Sequence, residues 1–140
     1  MSVAEVLLPV FVLVALTFTL MFWMGTVRYR SVNQRETRIS DVALGQLNWP
    51  PRVQQIGNAF NNQFQLPLLF YVLVILALFL HQADYLFVVL SWIFVLLRVV
   101  HAFVHCTTNR MIHRFGVYAI GAVVLLVMWI IFAVRILAVH

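Results

Sequence analysis

Residues 6–27 have the sequence VLLPVFVLVALTFTLMFWMGTV, and this stretch decides the fold class. It carries no charged residue, and its 22 positions are enough for an α-helix to cross a hydrocarbon core of about 30 Å. The stretch lacks the basic leader and the small-residue cleavage site of a signal peptide. We therefore predict a retained transmembrane helix at this position.

Three further apolar segments follow, at residues 66–80, 84–106 and 115–134. The segment 66–80 is too short to cross a bilayer unless its helix continues backward through the polar stretch 57–65. The sequence predicts an all-α membrane protein with a single four-helix transmembrane domain over residues 1–140. We expect its helices at about 4–27, 55–80, 84–107 and 112–137.

The composition supports a membrane environment. Apolar residues make up 64% of the chain and charged residues 9%, whereas soluble domains have about half and a quarter. A soluble globule could not hide so much apolar surface from water. The nine Arg and the absence of Lys give a net charge of +5, but the arginines are not clustered as a nucleic-acid surface requires. We expect membrane lipid, and no nucleic acid, around this chain.

The positions of the arginines predict the orientation of the helices. The connection around residues 81–84 has no arginine, whereas the first and third connections have seven: Arg28, Arg30, Arg35, Arg38, Arg52, Arg110 and Arg114. Short loops rich in Arg stay in the cytoplasm. We therefore expect both termini on the non-cytoplasmic side. The exclusive use of Arg is typical of GC-rich bacterial genomes, which suggests a bacterial inner membrane.

A row of side-chain amides lies on the second helix. Asn58, Asn61, Asn62 and Gln65 are spaced i, i+3, i+4 and i+7, which places them on one helical face. Turned toward lipid, these groups would lack hydrogen-bond partners. They either bind neighbouring helices or line a ligand site. Four amides exceed what helix association needs, which favours the ligand site.

The third helix carries Arg98, His101 and His105 at i, i+3 and i+7, again on one face. An arginine roughly 10 Å below the membrane surface either marks a functional site or extends its side chain to the headgroups. The two histidines have no Cys or carboxylate companion at ligand spacing, and Cys106 points to another face. We therefore expect no metal site.

A third row, Arg110, Arg114 and Tyr118, leads into the fourth helix at i, i+4 and i+8. Arginines and a tyrosine at a membrane interface can also be simple anchors. Glu36 and Asp41 are the acidic residues of the first loop and the ones able to neutralise this row. The excess of cations favours an anionic ligand, which the amides of the second helix would orient.

These rows resemble the MAPEG family, the membrane-associated proteins of eicosanoid and glutathione metabolism. Residues 62–67, NQFQLP, are similar to the Asn, Glu, Pro motif of the family's second helix. Residues 98–101, RVVH, followed by His105, resemble its Arg-x-x-His-x-x-x-Tyr pattern. Arg110, Arg114 and Tyr118 continue at spacings similar to those of the prostaglandin E synthase branch.

The resemblance implies a homotrimer that binds glutathione between neighbouring subunits near the cytoplasmic side. Arg114 and Tyr118 would be catalytic, with Arg114 stabilising the glutathione thiolate, since a cation lowers the pKa of a thiol. The residues that would bind the tripeptide are Asn58, Asn62, Gln65, Arg98, His101, His105 and Arg110.

The chain also departs from the family pattern. Gln65 stands where the family has Glu, and His105 stands where it has Tyr. Asn58 and Asn61 occupy positions at which the glutathione-using branch tends to have arginines. Two hypotheses follow. One is a glutathione-dependent transferase or peroxidase acting on lipophilic electrophiles, and the other is a non-catalytic scaffold or accessory subunit of a larger membrane complex. A lipid- or quinone-binding protein is the remaining alternative.

Overall fold

A computed structural model describes residues 2–35, 37–43, 49–107 and 111–139. Its described elements are all helical: α1 (Val3–Asn33), α2 (Ile39–Val42), α3 (Pro51–Asn61), a 3₁₀ turn (Asn62–Phe64), α4 (Leu66–Phe79), α5 (Tyr85–Cys106) and α6 (Met111–Val139). Among these residues, four helices are long and apolar enough to cross a membrane, at Val3–Asn33, Pro51–Phe79, Tyr85–Cys106 and Ile112–Ala138. The predicted all-α class with four spanning helices is confirmed.

The first helix begins with a capping box, in which Ser2 and Glu5 each bind the backbone N–H of the other. These bonds satisfy donors that have no partner within the helix. At its other end α1 extends past residue 27 to Asn33. Arg28 and Arg30 are therefore helical residues at the end of α1, although the sequence suggested a loop there.

The second span is interrupted in its middle. Pro67 has no backbone N–H, so the α-helical ladder cannot pass through it without leaving a carbonyl unpaired. The chain forms a 3₁₀ turn instead, in which the Gln65 N–H donates to the Asn62 carbonyl oxygen at 3.3 Å. Gln65 leaves helical geometry, with φ −100° and ψ −102°, and α4 begins at Leu66. The break divides the span into a polar half, α3, and an apolar half, α4.

The helices α5 and α6 are tied together at the end of the bundle away from α3. The Asp84 carboxylate accepts a hydrogen bond from the Phe87 N–H, which caps α5, and forms an ion pair of 2.9 Å with Arg135 of α6. Partial burial opposes the ionisation of Asp84, but the bonds from Arg135 and Phe87 outweigh it and lower the pKa of this carboxyl.

Two apolar clusters hold the bundle together. The larger packs α1, α4, α5 and α6 around Phe70 and Phe94, whose rings stack at 5.0 Å. The smaller joins α1, α3 and α5 through Leu20, Ile56 and Ala102. Large apolar side chains such as Phe22 and Phe79 are exposed on the outside. Exposed apolar surface on this scale requires lipid around it, and the chain is an integral membrane protein.

Candidate functional site

The four amides of the second span lie along one cavity. Asn58 and Asn61 come from α3, Asn62 begins the 3₁₀ turn, and Gln65 ends it. Because side chains three residues apart eclipse in a 3₁₀ turn, the break keeps Asn62 and Gln65 on the same side. The cavity has a volume of about 610 Å³. A volume of this size lies in the range of small-molecule sites.

Two buried histidines of α5 form the second wall. The Asn62 Nδ2 group faces the His105 Nδ1 atom at 3.2 Å. Since an amide nitrogen can only donate, His105 accepts at Nδ1 and carries its ring proton on Nε2. The rings of His101 and His105 meet edge to face at 5.7 Å. This contact and the bond from Asn62 fix both imidazoles beside the amide row.

The third wall belongs to α6 and consists of Arg114, Phe115 and Tyr118. The Tyr118 ring lies 5.7 Å from the ring of His101, between the cavity and the interior of the bundle. Phe115 lies one helical turn before Tyr118 and adds an apolar surface to the cavity. Phe115 was not predicted as a site residue, since an aromatic residue near a membrane interface is common.

Arg98 lies behind the cavity and does not line it. Its long cationic side chain is only 2% exposed. The Arg98 Nη2 group donates to the Asn62 carbonyl oxygen at 3.2 Å, and the guanidinium carbon lies 6.0 Å from the centre of the Tyr118 ring. Its Nε and Nη1 atoms have no hydrogen-bond partner among the residues that the structure describes. Arg98 therefore supports two lining residues from inside the bundle.

The start of α3 is fastened to the end of α5 by contacts that the sequence did not predict. The Gln55 Nε2 group donates to the His105 carbonyl oxygen at 2.5 Å, and an Arg52 Nη1 group donates to the Cys106 carbonyl oxygen. These carbonyls belong to the last turn of α5, where no N–H group of the helix is available to donate to them. The two bonds hold the amide row opposite the histidines.

Gly57 allows a second close approach to α3. A Cβ atom at this position would stand 2.9 Å from the Arg28 Nη2 atom. Arg28 in turn lies over the ring of Trp49, with 5.0 Å between the guanidinium carbon and the ring centre. The end of α1 therefore packs directly on the helix that carries Asn58 and Asn61.

The structure thus brings together most of the residues singled out in the sequence. Nine of them are placed at the cavity or directly behind it: Asn58, Asn61, Asn62, Gln65, His101, His105, Arg114 and Tyr118 line it, and Arg98 supports it from behind. Arg110 and Glu36 lie outside the described residues. The described lining contains amides, imidazoles, a phenol and one guanidinium, but no carboxylate. Such a lining suits an anionic ligand that also needs hydrogen-bond donors and acceptors.

The fold and the site define an integral membrane protein of four spanning helices with a polar cavity at one end of the bundle. The model of the MAPEG family matches residues 6–134, nearly the whole chain. The chain belongs to the MAPEG family. Comparisons with curated proteins and with solved structures gave no match.

Proposed function

We propose that this protein is a glutathione-dependent transferase or peroxidase that acts on lipophilic electrophiles, with glutathione bound in the cavity described above. The observation that carries the proposal is the lining, which combines Arg114 with amides and a phenol and includes no described carboxylate. Glutathione is an anionic tripeptide with many amide groups. The MAPEG family is associated with glutathione in general, which makes this tripeptide the first ligand to consider.

In the proposed reaction Arg114 and Tyr118 stabilise the glutathione thiolate. A nearby cation or hydrogen-bond donor favours the charged form of a thiol, which is the nucleophile. The thiol proton leaves to water, the sulfur attacks the electrophilic carbon, and the leaving group departs with its bonding electrons. With an aryl halide the products are the thioether, a halide ion and a proton. In the peroxidase alternative two glutathione molecules reduce one hydroperoxide to an alcohol and water, and become the disulfide.

The amide row has a different part in this proposal. Asn58, Asn61 and Gln65 are exposed to the cavity and would pair with the peptide groups and carboxylates of glutathione. Asn62 is committed to His105 through its side chain and to Arg98 through its carbonyl. His101 and His105 line the cavity and would contact the ligand directly, whereas Arg98 would act on it through the positions of Asn62 and Tyr118.

The proposal extends to assembly and location. We propose a homotrimer in a bacterial inner membrane, with the arginine-rich end of the bundle in the cytoplasm. The support is the family, together with an amide face that stays open to the outside in one protomer. Native mass spectrometry from nanodiscs should show three copies, and a stable monomer with full ligand binding would contradict this part.

Calorimetry in nanodiscs tests the binding step, and conjugation to an activated aryl halide tests the chemistry. Arg114→Ala should weaken glutathione binding roughly ten- to a hundredfold, because a hydrogen bond to a charged group contributes about 1.5–3 kcal/mol. Arg30→Ala is the matched control, since Arg30 is an exposed arginine of α1 outside the cavity. Equal effects of both variants would mean that only net charge matters.

A second candidate is a non-catalytic scaffold or accessory subunit of a larger membrane complex. It is favoured by Gln65, a neutral amide at the position where the family motif has Glu. Gln65→Glu separates the two functions. If the site has glutathione geometry, the new carboxylate should bind the ligand's ammonium group and raise affinity. If neither the wild type nor this variant binds glutathione, and the variant melts at a lower temperature, the scaffold function replaces the enzyme.

A further inference from the structure

A second recess lies between α1 and α5, on a different side of the bundle from the amide cavity. Its volume is about 340 Å³, and its walls include Leu16, Leu20 and Trp23 of α1 and Val99, Ala102 and Phe103 of α5. We call it the α1–α5 groove. Each wall follows the i, i+3, i+4, i+7 spacing of one helical face, so the groove runs along both helices for about 10 Å at 1.5 Å per residue.

The interior of this groove offers no free hydroxyl to a ligand. The two hydroxyls in its lining belong to Thr19 and Thr107. The Thr19 hydroxyl donates to the Ala15 carbonyl oxygen at 2.8 Å, and the Thr107 hydroxyl donates to the Phe103 carbonyl oxygen at 2.6 Å. Both groups are satisfied within their own helices. The surface that remains is apolar and fits a hydrocarbon chain.

The mouth of the groove carries a positive charge. Arg52 lies over the ring of Trp23, with 5.4 Å between the guanidinium carbon and the ring centre, and donates to the Cys106 carbonyl oxygen. A guanidinium has five N–H donors, so these contacts leave several for a further partner. The one salt bridge found among the described residues joins Asp84 and Arg135 at the opposite end of the bundle. Arg52 is thus exposed, fixed in place and without a described carboxylate partner.

We propose that the α1–α5 groove binds an anionic phospholipid, with one acyl chain along Leu20 and Phe103 and the phosphate at Arg52. Basic pockets between transmembrane helices at the cytoplasmic side suit anionic headgroups. The groove ends at the arginine-rich end of the bundle, where such headgroups lie in the proposed orientation. This lipid site does not depend on the proposed glutathione chemistry, because it shares no lining residue with the amide cavity.

Quenching of Trp23 fluorescence by lipids brominated on the acyl chain tests the proposal in reconstituted vesicles of phosphatidylcholine. The Trp23 signal is the difference between the wild type and Trp23→Phe. Brominated phosphatidylglycerol should quench this signal at a severalfold lower mole fraction than brominated phosphatidylcholine. Arg52→Gln should lower the preference for phosphatidylglycerol over phosphatidylcholine about fivefold, which is the effect expected for one cation near an anionic lipid.

Two matched controls complete the experiment. Arg30→Gln removes the same charge from an exposed position on α1 and should keep the preference for phosphatidylglycerol. Thr19→Phe fills the groove and should reduce quenching, whereas Thr26→Phe, at a position whose hydroxyl is bound in the same way, should not. Equal quenching by both lipids, or equal loss in Arg52→Gln and Arg30→Gln, overturns the proposal. Failure of any lipid to reach Trp23, with a lower oligomeric state in Thr19→Phe, would instead assign the groove to a second copy of the chain.

Discussion

Arg98 is a buried cation in a membrane helix, and few of its donors have a described hydrogen-bond partner. Its guanidinium is buried, donates one hydrogen bond to the Asn62 carbonyl oxygen, and has two further nitrogens without a described partner. Taking a cation out of water costs several kcal/mol, and one hydrogen bond does not offset that cost. We infer that Arg98 is present for the site that it supports and not for the stability of the bundle.

Arg98→Met tests this distinction between stability and function. A well-packed apolar residue in place of a poorly paired buried cation should leave stability unchanged or raise it by about 1–4 kcal/mol. Thermal unfolding in detergent should show an equal or higher midpoint, while calorimetry shows weaker glutathione binding. Arg30→Met, at an exposed position, should alter neither. A large fall in the midpoint for Arg98→Met would show that the cation stabilises the fold.

At the level of single residues, helical spacing predicted which amides and histidines share a face. Asn58 could be grouped with Asn62, and His101 with His105, because the members of each pair lie on one helix or on the turn that continues it. The bond from Gln55 to the end of α5 was not predictable, since it depends on how closely α3 and α5 pack. The position of Arg98 behind Tyr118 also required the structure, because spacing along α5 gives no depth relative to α6.

Among the helices, the interrupted second span has the clearest consequence for function. The break lies between the amide row and the apolar half, and Gln65 stands at its corner. The sequence predicted that a helix must continue from the polar stretch into residues 66–80. It did not predict a 3₁₀ turn, because Pro67 is compatible both with the first turn of a new helix and with a kink.

Pro67→Ala should convert the break toward continuous helix. The new N–H at position 67 can donate to the Gln63 carbonyl, so amides around residues 62–68 should exchange more slowly with deuterated water. A continuous helix has 3.6 residues per turn, so Gln65 would no longer eclipse Asn62 but would be offset from it by about 60° on the same face, which changes the alignment of the two amides. Glutathione affinity should therefore fall.

Pro9→Ala is the matched control, because Pro9 also lies inside a helix but far from the cavity. It should change exchange only within α1 and leave ligand binding unaltered. If Pro67→Ala leaves exchange around residues 62–68 as it was, the break is imposed by packing and not by the proline.

For the whole molecule, the apolar composition and the lengths of the segments were enough to predict four spanning helices. The structure adds that the start of α3 and the end of α5, which adjoin the first and third connections, meet at one end of the bundle through the contact of Arg52 with the last turn of α5. The side of the membrane on which this end lies remains a prediction from the seven arginines of those connections.

Reporter fusions at His81 and at Asn109 test that orientation. A phosphatase reporter, which is active outside the cytoplasm, should be active at His81 and inactive at Asn109, and a cytoplasmic fluorescent reporter should show the reverse. The reason is that short connections rich in Arg are retained in the cytoplasm. Activity of the same reporter at both positions would contradict the four-span arrangement, and an exchange of the two results would contradict only the orientation.

The buried thiol of Cys106 can report local opening of the bundle. This residue is the only cysteine in the sequence, and it is 2% exposed beneath the contact between Arg52 and the end of α5. Because Cys106 also lines the α1–α5 groove, a maleimide reagent reaches its sulfur when the walls of that groove separate. The labelling rate in native vesicles therefore measures how often this end of the bundle opens, and it does so in the unmodified protein.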